Sequence, residues 1–167
     1  MKSEPAILID KVKFDGLKVR LEYQQRRPDD RYDELAIASF DRPAPELPAA
    51  LRDLAQDLCD IGELHPSYAE GLAIRSVSFT YAENGVMGAV ITGLKSVKTA
   101  KSPLVLNTPF LTAGPMNNSD SGPFFGDPCL KRLATLSEEA IRYINGEREQ
   151  PVLPLAGAAR PDDKPRS

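Results

Sequence analysis

The sequence predicts an α+β domain built from two βββα halves, whose strands form one antiparallel sheet with two helices packed on one face. Three observations carry this. The stretch LKVRLEYQ alternates strictly, with Leu17, Val19, Leu21 and Tyr23 on one side and Lys18, Arg20, Glu22 and Gln24 on the other. That is the period of a half-buried strand. Leu47, Leu51, Leu54, Leu58 and Ile61 step by 4, 3, 4 and 3, which marks one face of a helix. Finally, three strand patterns followed by a helix pattern occur twice in the same order.

The first strand is ILIDKVKF, which turns at Asp15-Gly16, a strong hairpin signal, into LKVRLEYQ. QRRPDDR is a polar loop, and ELAIASF is the third strand. The helix that follows carries Pro45 and Pro48, which fit only its first turn. The second half opens with LAIRSVSFTYA, where Val77, Phe79 and Tyr81 oppose Ser76, Ser78 and Thr80. A turn at Glu83-Asn84-Gly85 leads to VMGAVITGLKSV and then PLVLNTPFL, the fifth and sixth strands. A helix is expected from Asp127, as N-cap, and Pro128, as first helical residue. Leu130, Leu133, Leu136, Ala140 and Ile144 line its apolar face. The halves, residues 5–64 and 71–146, show no convincing identity, so the repeat is expected in structure alone. The expected organisation is one domain, residues 1–146, and a flexible Pro-rich tail, residues 147–167.

The 167 residues are 41% hydrophobic and 27% charged, the balance of an ordinary globular chain with a real core. No apolar run approaches the roughly 18 residues of a membrane span. MKSEPAILID has no apolar signal core, so a cytoplasmic location is expected and the sequon Asn117-Asn118-Ser119 reads as accidental. The net charge of -3 argues against duplex DNA held by bulk charge, and leaves room for a local basic strip.

Little supports catalysis. The one histidine, His65, precedes a proline and reads as a loop residue; a hydrolase would have to use it. No nucleophile elbow, metal-ligand spacing, phosphate loop or dinucleotide fingerprint is present. No catalytic residue, metal or cofactor is therefore expected. Asp29-Asp30 and Glu138-Glu139 read as solvated. Cys59 and Cys129, on the two helices, read as buried small hydrophobes, with a disulfide or a reactive thiol as the other choices.

Binding has more to draw on. Lys95, Lys98 and Lys101 close one strand and its turn, and Arg26, Arg27 and Arg31 occupy the corresponding loop of the first half. A pseudo-two-fold would place the two clusters at equivalent positions, where together they would track a nucleic-acid backbone. Tyr23, Phe79 and Tyr81 would stack bases if they faced out; strand alternation instead sets Phe79 and Tyr81 with Val77, on the core side. The loop LTAGPMNNSDSGPFFGDP is long enough to be functional or disordered. Its Phe124-Phe125 either tuck into the core or anchor a partner.

In the tail, Gln150-Pro151-Val152-Leu153-Pro154-Leu155 has the layout Gln-x-x-Leu-x-Leu. It resembles the hexapeptide form of the bacterial sliding-clamp-binding motif, in which two apolar side chains fill a preformed pocket and a glutamine fixes register. The resemblance implies that Gln150, Leu153 and Leu155 are the anchors; Pro151 and Pro154 depart from the family's usual residues. More broadly, VSFTYAENGVMGAVITGLKSV, LVLNTPF and YINGEREQ resemble a group of small proteins of tailed phages and prophages. That implies a setting, the infected bacterial cell, where such proteins serve DNA replication and recombination or block host defences. The expected function is a non-enzymatic phage accessory protein of replication or recombination that binds single-stranded DNA or a replication protein. The alternative is an inhibitor that binds a host defence protein. Open sheet edges make a homo-oligomer plausible.

Overall fold

The computed structural model describes residues 5–83, 85–113 and 125–149. Strands β1 (Ile7–Phe14) and β2 (Val19–Arg26) form the expected hairpin. The Asp15 carboxylate accepts the backbone N–H groups of Leu17 and Lys18 at 2.9 and 2.8 Å, and Gly16 takes φ +94°. Those N–H groups, Lys18 first, hold the Asp15 carboxyl below its ordinary value. β3 (Tyr32–Ser39) pairs with β2 in unbroken register. The second half contributes β4 (Leu72–Tyr81), β5 (Met87–Lys95), β6 (Leu104–Asn107) and β7 (Leu111–Thr112). Together they make a seven-stranded antiparallel sheet in the order β3-β2-β1-β4-β5-β6, with β7 also pairing β5.

The halves meet where β1 pairs β4. Val12 lies opposite Val77, flanked by Lys11 opposite Ser78 and Lys13 opposite Ser76. This pairing defines an approximate two-fold normal to the sheet. Under it Ile9, Val12 and Phe14 fall on Ile74, Val77 and Phe79, an identity that inspection of the linear sequence misses. Each strand is also irregular at the equivalent place, at Asp10 between Ile9 and Lys11 and at Arg75 between Ile74 and Ser76. The same rotation thus relates the irregular places of the two central strands.

The strand expected over 103–111 is split. Thr108 donates its N–H to the Ile91 carbonyl and accepts the Ile91 N–H on its hydroxyl, both at 2.9 Å. Pro109, next in line, has no N–H to give a ladder. The chain regains the sheet only at β7.

The helices are α1 (Glu46–Arg52), α2 (Ala55–Ile61) and α3 (Asp127–Ile144). The single helix expected over 47–61 is broken at Asp53-Leu54, where the Leu54 N–H bonds to the Leu51 carbonyl and tightens the turn. The apolar face survives the break, since Leu47, Leu51, Leu54 and Leu58 are all buried. α3 starts one residue early, with Gly126 rather than Asp127 at the N-cap. α1 packs on β4 and α3 on β1, so each half's helical layer laps the other half's central strand. One core results, with Val12, Leu21, Val77 and Ile91 from the sheet meeting Leu47, Leu54, Leu133 and Leu136 from the helices.

Contacts with the body continue past Gly146. The Arg148 guanidinium stacks on the Tyr143 ring at 3.5 Å, and the Glu149 N–H bonds to the Arg42 carbonyl at 2.9 Å. Tyr143 in turn donates its hydroxyl to the Asp41 carbonyl at 2.7 Å.

Across the irregularity in β1, the Tyr81 hydroxyl donates to the Ile9 carbonyl at 2.7 Å. Burial, with the Asp10 carboxylate nearby, pushes its pKa from 10.0 up to about 12. A folded-state pKa above the unfolded one means that the neutral phenol is the form the fold favours. Its contribution is complete below the ordinary value of 10.0 and is lost as pH rises through about 12. Urea denaturation across that range should show stability falling for the wild type and a shallower fall for Tyr81→Phe. Equal slopes would contradict the assignment.

Candidate functional site

The helix-free face of the sheet is built by the same alternation that builds the core. Where Val12, Val19, Leu21, Val77 and Ile91 point to the helices, Lys11, Lys13, Arg20, Glu22, Ser76, Ser78 and Thr92 point away. The register joins some of these into one row. Ala38 pairs with Arg20, Arg20 with Lys13, Lys13 with Ser76, Ser76 with Thr92, and Thr92 with Asn107. The row crosses β3-β2-β1-β4-β5-β6, about 24 Å at a strand spacing of about 4.8 Å. The Thr92 hydroxyl donates to Asn107 Oδ1 at 2.6 Å. Among the described residues Lys11, Lys13 and Arg20 form no ion pair, and Lys13 and Arg20 are exposed. Glu22, opposite Lys11, is the nearest acid in the register.

The Phe110 ring lies on this face. A Cβ built on Gly88 would fall 2.3 Å from Phe110 Cζ, so the glycine leaves the space that the ring occupies. Phe110 remains 51% exposed. Tyr23 and Phe79, by contrast, are core residues, and Tyr81 is half-buried with its hydroxyl engaged.

The two cation clusters sit at equivalent positions under the pseudo-two-fold, but not side by side. β2 and β5 run in opposite directions, so their C-terminal loops lie at opposite corners of the sheet, about 30 Å apart by strand rise and spacing. The first cluster is internally compensated. Arg26 pairs with Asp30 at 2.5 Å, Arg27 with Asp33 and Asp29 at 3.5 and 3.6 Å, and Arg31 with Asp29 at 3.8 Å. In the second, Lys95 Nζ lies 4.4 Å from the centre of the Tyr68 ring, while Lys98 and Lys101 are exposed in a loop without acids. Lys13, Lys18 and Arg20 stand at this same end of the sheet, which makes it the basic end.

His65 is exposed; its Nδ1 accepts the Ser67 N–H at 3.2 Å and caps the short 3-10 helix Pro66–Gly71. Among the described residues no group of three or more His, Cys, Asp or Glu is placed to hold a metal ion. Cys59 and Cys129 are free and buried. Burial raises both thiols, and Cys129 reaches about 12 with the further help of the Asp57 charge. Asp57 is buried and takes Arg132 Nε and Nη2 at 2.6 and 2.5 Å, tying α2 to α3. Asp29 and Asp30 are exposed as expected. Glu139 corrects the solvated reading of its pair: it is buried and meets Arg142 at 3.3 Å, while Glu138 is exposed. Phe125 is in the core. Phe124 and the tail anchors Gln150, Leu153 and Leu155 lie outside the described residues.

No protein-family model matches this chain, and neither a curated protein nor a solved structure is significantly similar to it.

The thiols give a direct check. In the native protein at neutral pH neither Cys59 nor Cys129 should react with a thiol-specific reagent, and both should react in urea. Rapid native-state labelling of Cys129 would show that the Asp57–Arg132 pair leaves it open and activated.

Proposed function

We propose that this chain is a non-enzymatic binding protein that takes single-stranded nucleic acid across the helix-free face of its sheet, in the service of DNA replication or recombination. The observation that carries the reading is the continuous polar row from Arg20 through Lys13, Ser76 and Thr92 to Asn107, whose cations have no ion-pair partner among the described residues. Lys13 and Arg20 offer charge to phosphates, and the exposed Asn107 amide offers hydrogen bonds to phosphate, sugar or base edges, while Ser76 is buried and the Thr92 hydroxyl is taken by Asn107. Phe110, held over Gly88, offers a surface for a base to stack on. Lys95, Lys98 and Lys101 extend the positive end, whereas the acids around Arg26, Arg27 and Arg31 offset most of that cluster's pull.

The resemblance to small phage proteins supports an infected bacterial cell as the setting. The Gln150, Leu153 and Leu155 motif supports a sliding clamp or another replication protein as a second partner. The competing reading, an inhibitor of a host defence protein, is favoured by the exposed apolar residues Leu17 and Phe40.

Fluorescence anisotropy with a labelled single-stranded oligonucleotide separates the two. The full-length protein should bind at low salt, with log affinity falling against log salt by about 0.7 for each phosphate contacted. Lys13→Glu with Arg20→Glu should weaken binding at least tenfold, and Lys95, Lys98 and Lys101 changed to Glu should weaken it further. Changing Arg27 and Arg31 should matter little. Absence of binding at low salt, or binding indifferent to salt and to Lys13 and Arg20, would sink the reading in favour of a protein target.

A further inference from the structure

The outer strands β3 and β6 each leave one edge without a strand partner among the described residues. Backbone N–H and C=O groups along such an edge are free to pair with another chain, and edges are ordinarily blunted with lysine, proline or a bulge. β3 has no lysine, proline or bulge over its eight residues, YDELAIAS, and its charges, Asp33 and Glu34, are confined to its beginning. Exposed apolar side chains collect at both edges. Phe40, 72% exposed, directly follows β3, and Leu104 and Val105, 49% and 54% exposed, begin β6. All three lie at the same end of the sheet, where β3 finishes and β6 starts.

We propose that these edges join copies of this chain head to tail, β6 of one copy alongside β3 of the next. Within one chain β3 and β6 run antiparallel, as the succession of antiparallel ladders requires. A second copy set beside the first along the sheet therefore places β6 antiparallel to β3, with all helices on one side. The pseudo-two-fold that makes β1 and β4 neighbours also makes β3 and β6 equivalents, so the new junction repeats the geometry of the central one. Like ends meet, bringing Phe40 of one copy against Leu104 and Val105 of the next. A symmetric β3-to-β3 pair would reverse the ends and set Phe40 against the acidic Asp33-Glu34. A junction of two different surfaces propagates to a ring or a filament rather than stopping at a dimer.

Sedimentation velocity on the full chain tests this with Phe40→Asp and Leu104→Asp, both at exposed positions, and circular dichroism to confirm their fold. Ala36→Pro, which blocks the β3 edge backbone, is an independent second block. The wild type should assemble beyond a dimer as concentration rises. Each variant alone should be monomeric, and an equal mixture of Phe40→Asp and Leu104→Asp should give a dimer and nothing larger, because one intact copy of each edge remains. A wild type that stays monomeric at every concentration overturns the proposal. So does self-association of Leu104→Asp, which would mean a symmetric β3 contact, or undiminished assembly of all variants, which would place the interface elsewhere.

Discussion

Everything in this molecule depends on the pairing of Val12 with Val77. Among the described residues the β1–β4 ladder is the one that joins the two halves of the sheet, and it is short. Both valines are fully buried, worth about 1.5–3 kcal/mol each in side-chain burial. A ladder this short would hold two halves weakly alone. It is held from above, because α3 lies on β1 and α1 on β4. Separating the halves would uncover both helical layers at once, so the fold behaves as one cooperative unit rather than as two repeats in tandem.

The same pairing makes the helix-free face continuous. Lys13 opposite Ser76, one step from the valines, carries the polar row from the first half into the second. The chemistry changes at that seam. On the first-half side the row and its neighbours are charged, with Lys11, Lys13, Arg20 and Glu22. On the second-half side they are hydroxyls, an amide and aliphatic groups, with Phe110 at the margin. A strand of nucleic acid laid across the seam meets cations for its phosphates on one side and a neutral surface with an aromatic ring on the other. The two halves of the sheet thus differ in the chemistry of their outer face, while Ile9 and Val12 match Ile74 and Val77 in the core.

Much of the fold was legible because its cues are local. The Asp15-Gly16 turn, the alternation of residues 17–24 and the helical spacing of Leu47, Leu51, Leu54 and Leu58 each follow from a few neighbouring residues. What stayed hidden depends on partners far along the chain. The tightened turn at Leu54 interrupts the helix without disturbing its apolar face, so periodicity cannot report it. The split at Thr108 arises from hydrogen bonds to Ile91. Glu139 reads as solvated until Arg142 and the packing against α1 are seen. The row through Arg20, Lys13, Ser76 and Thr92 could be found only once register was known, since its members are scattered through four strands. The arginines of the β2–β3 loop show the reverse: their acidic neighbours Asp29, Asp30 and Asp33 were visible in the sequence and signalled compensation.

The central claim is that the helix-free face, and not the helical side, is the working surface. The most direct test is to titrate isotope-labelled full-length protein with a short single-stranded oligonucleotide and follow its backbone amide resonances. The account predicts shifts concentrated at Lys11, Lys13, Arg20, Ser76, Thr92, Asn107 and Phe110, with α1, α2 and α3 unmoved. Shifts confined to the helices, or none at saturating oligonucleotide, would contradict it.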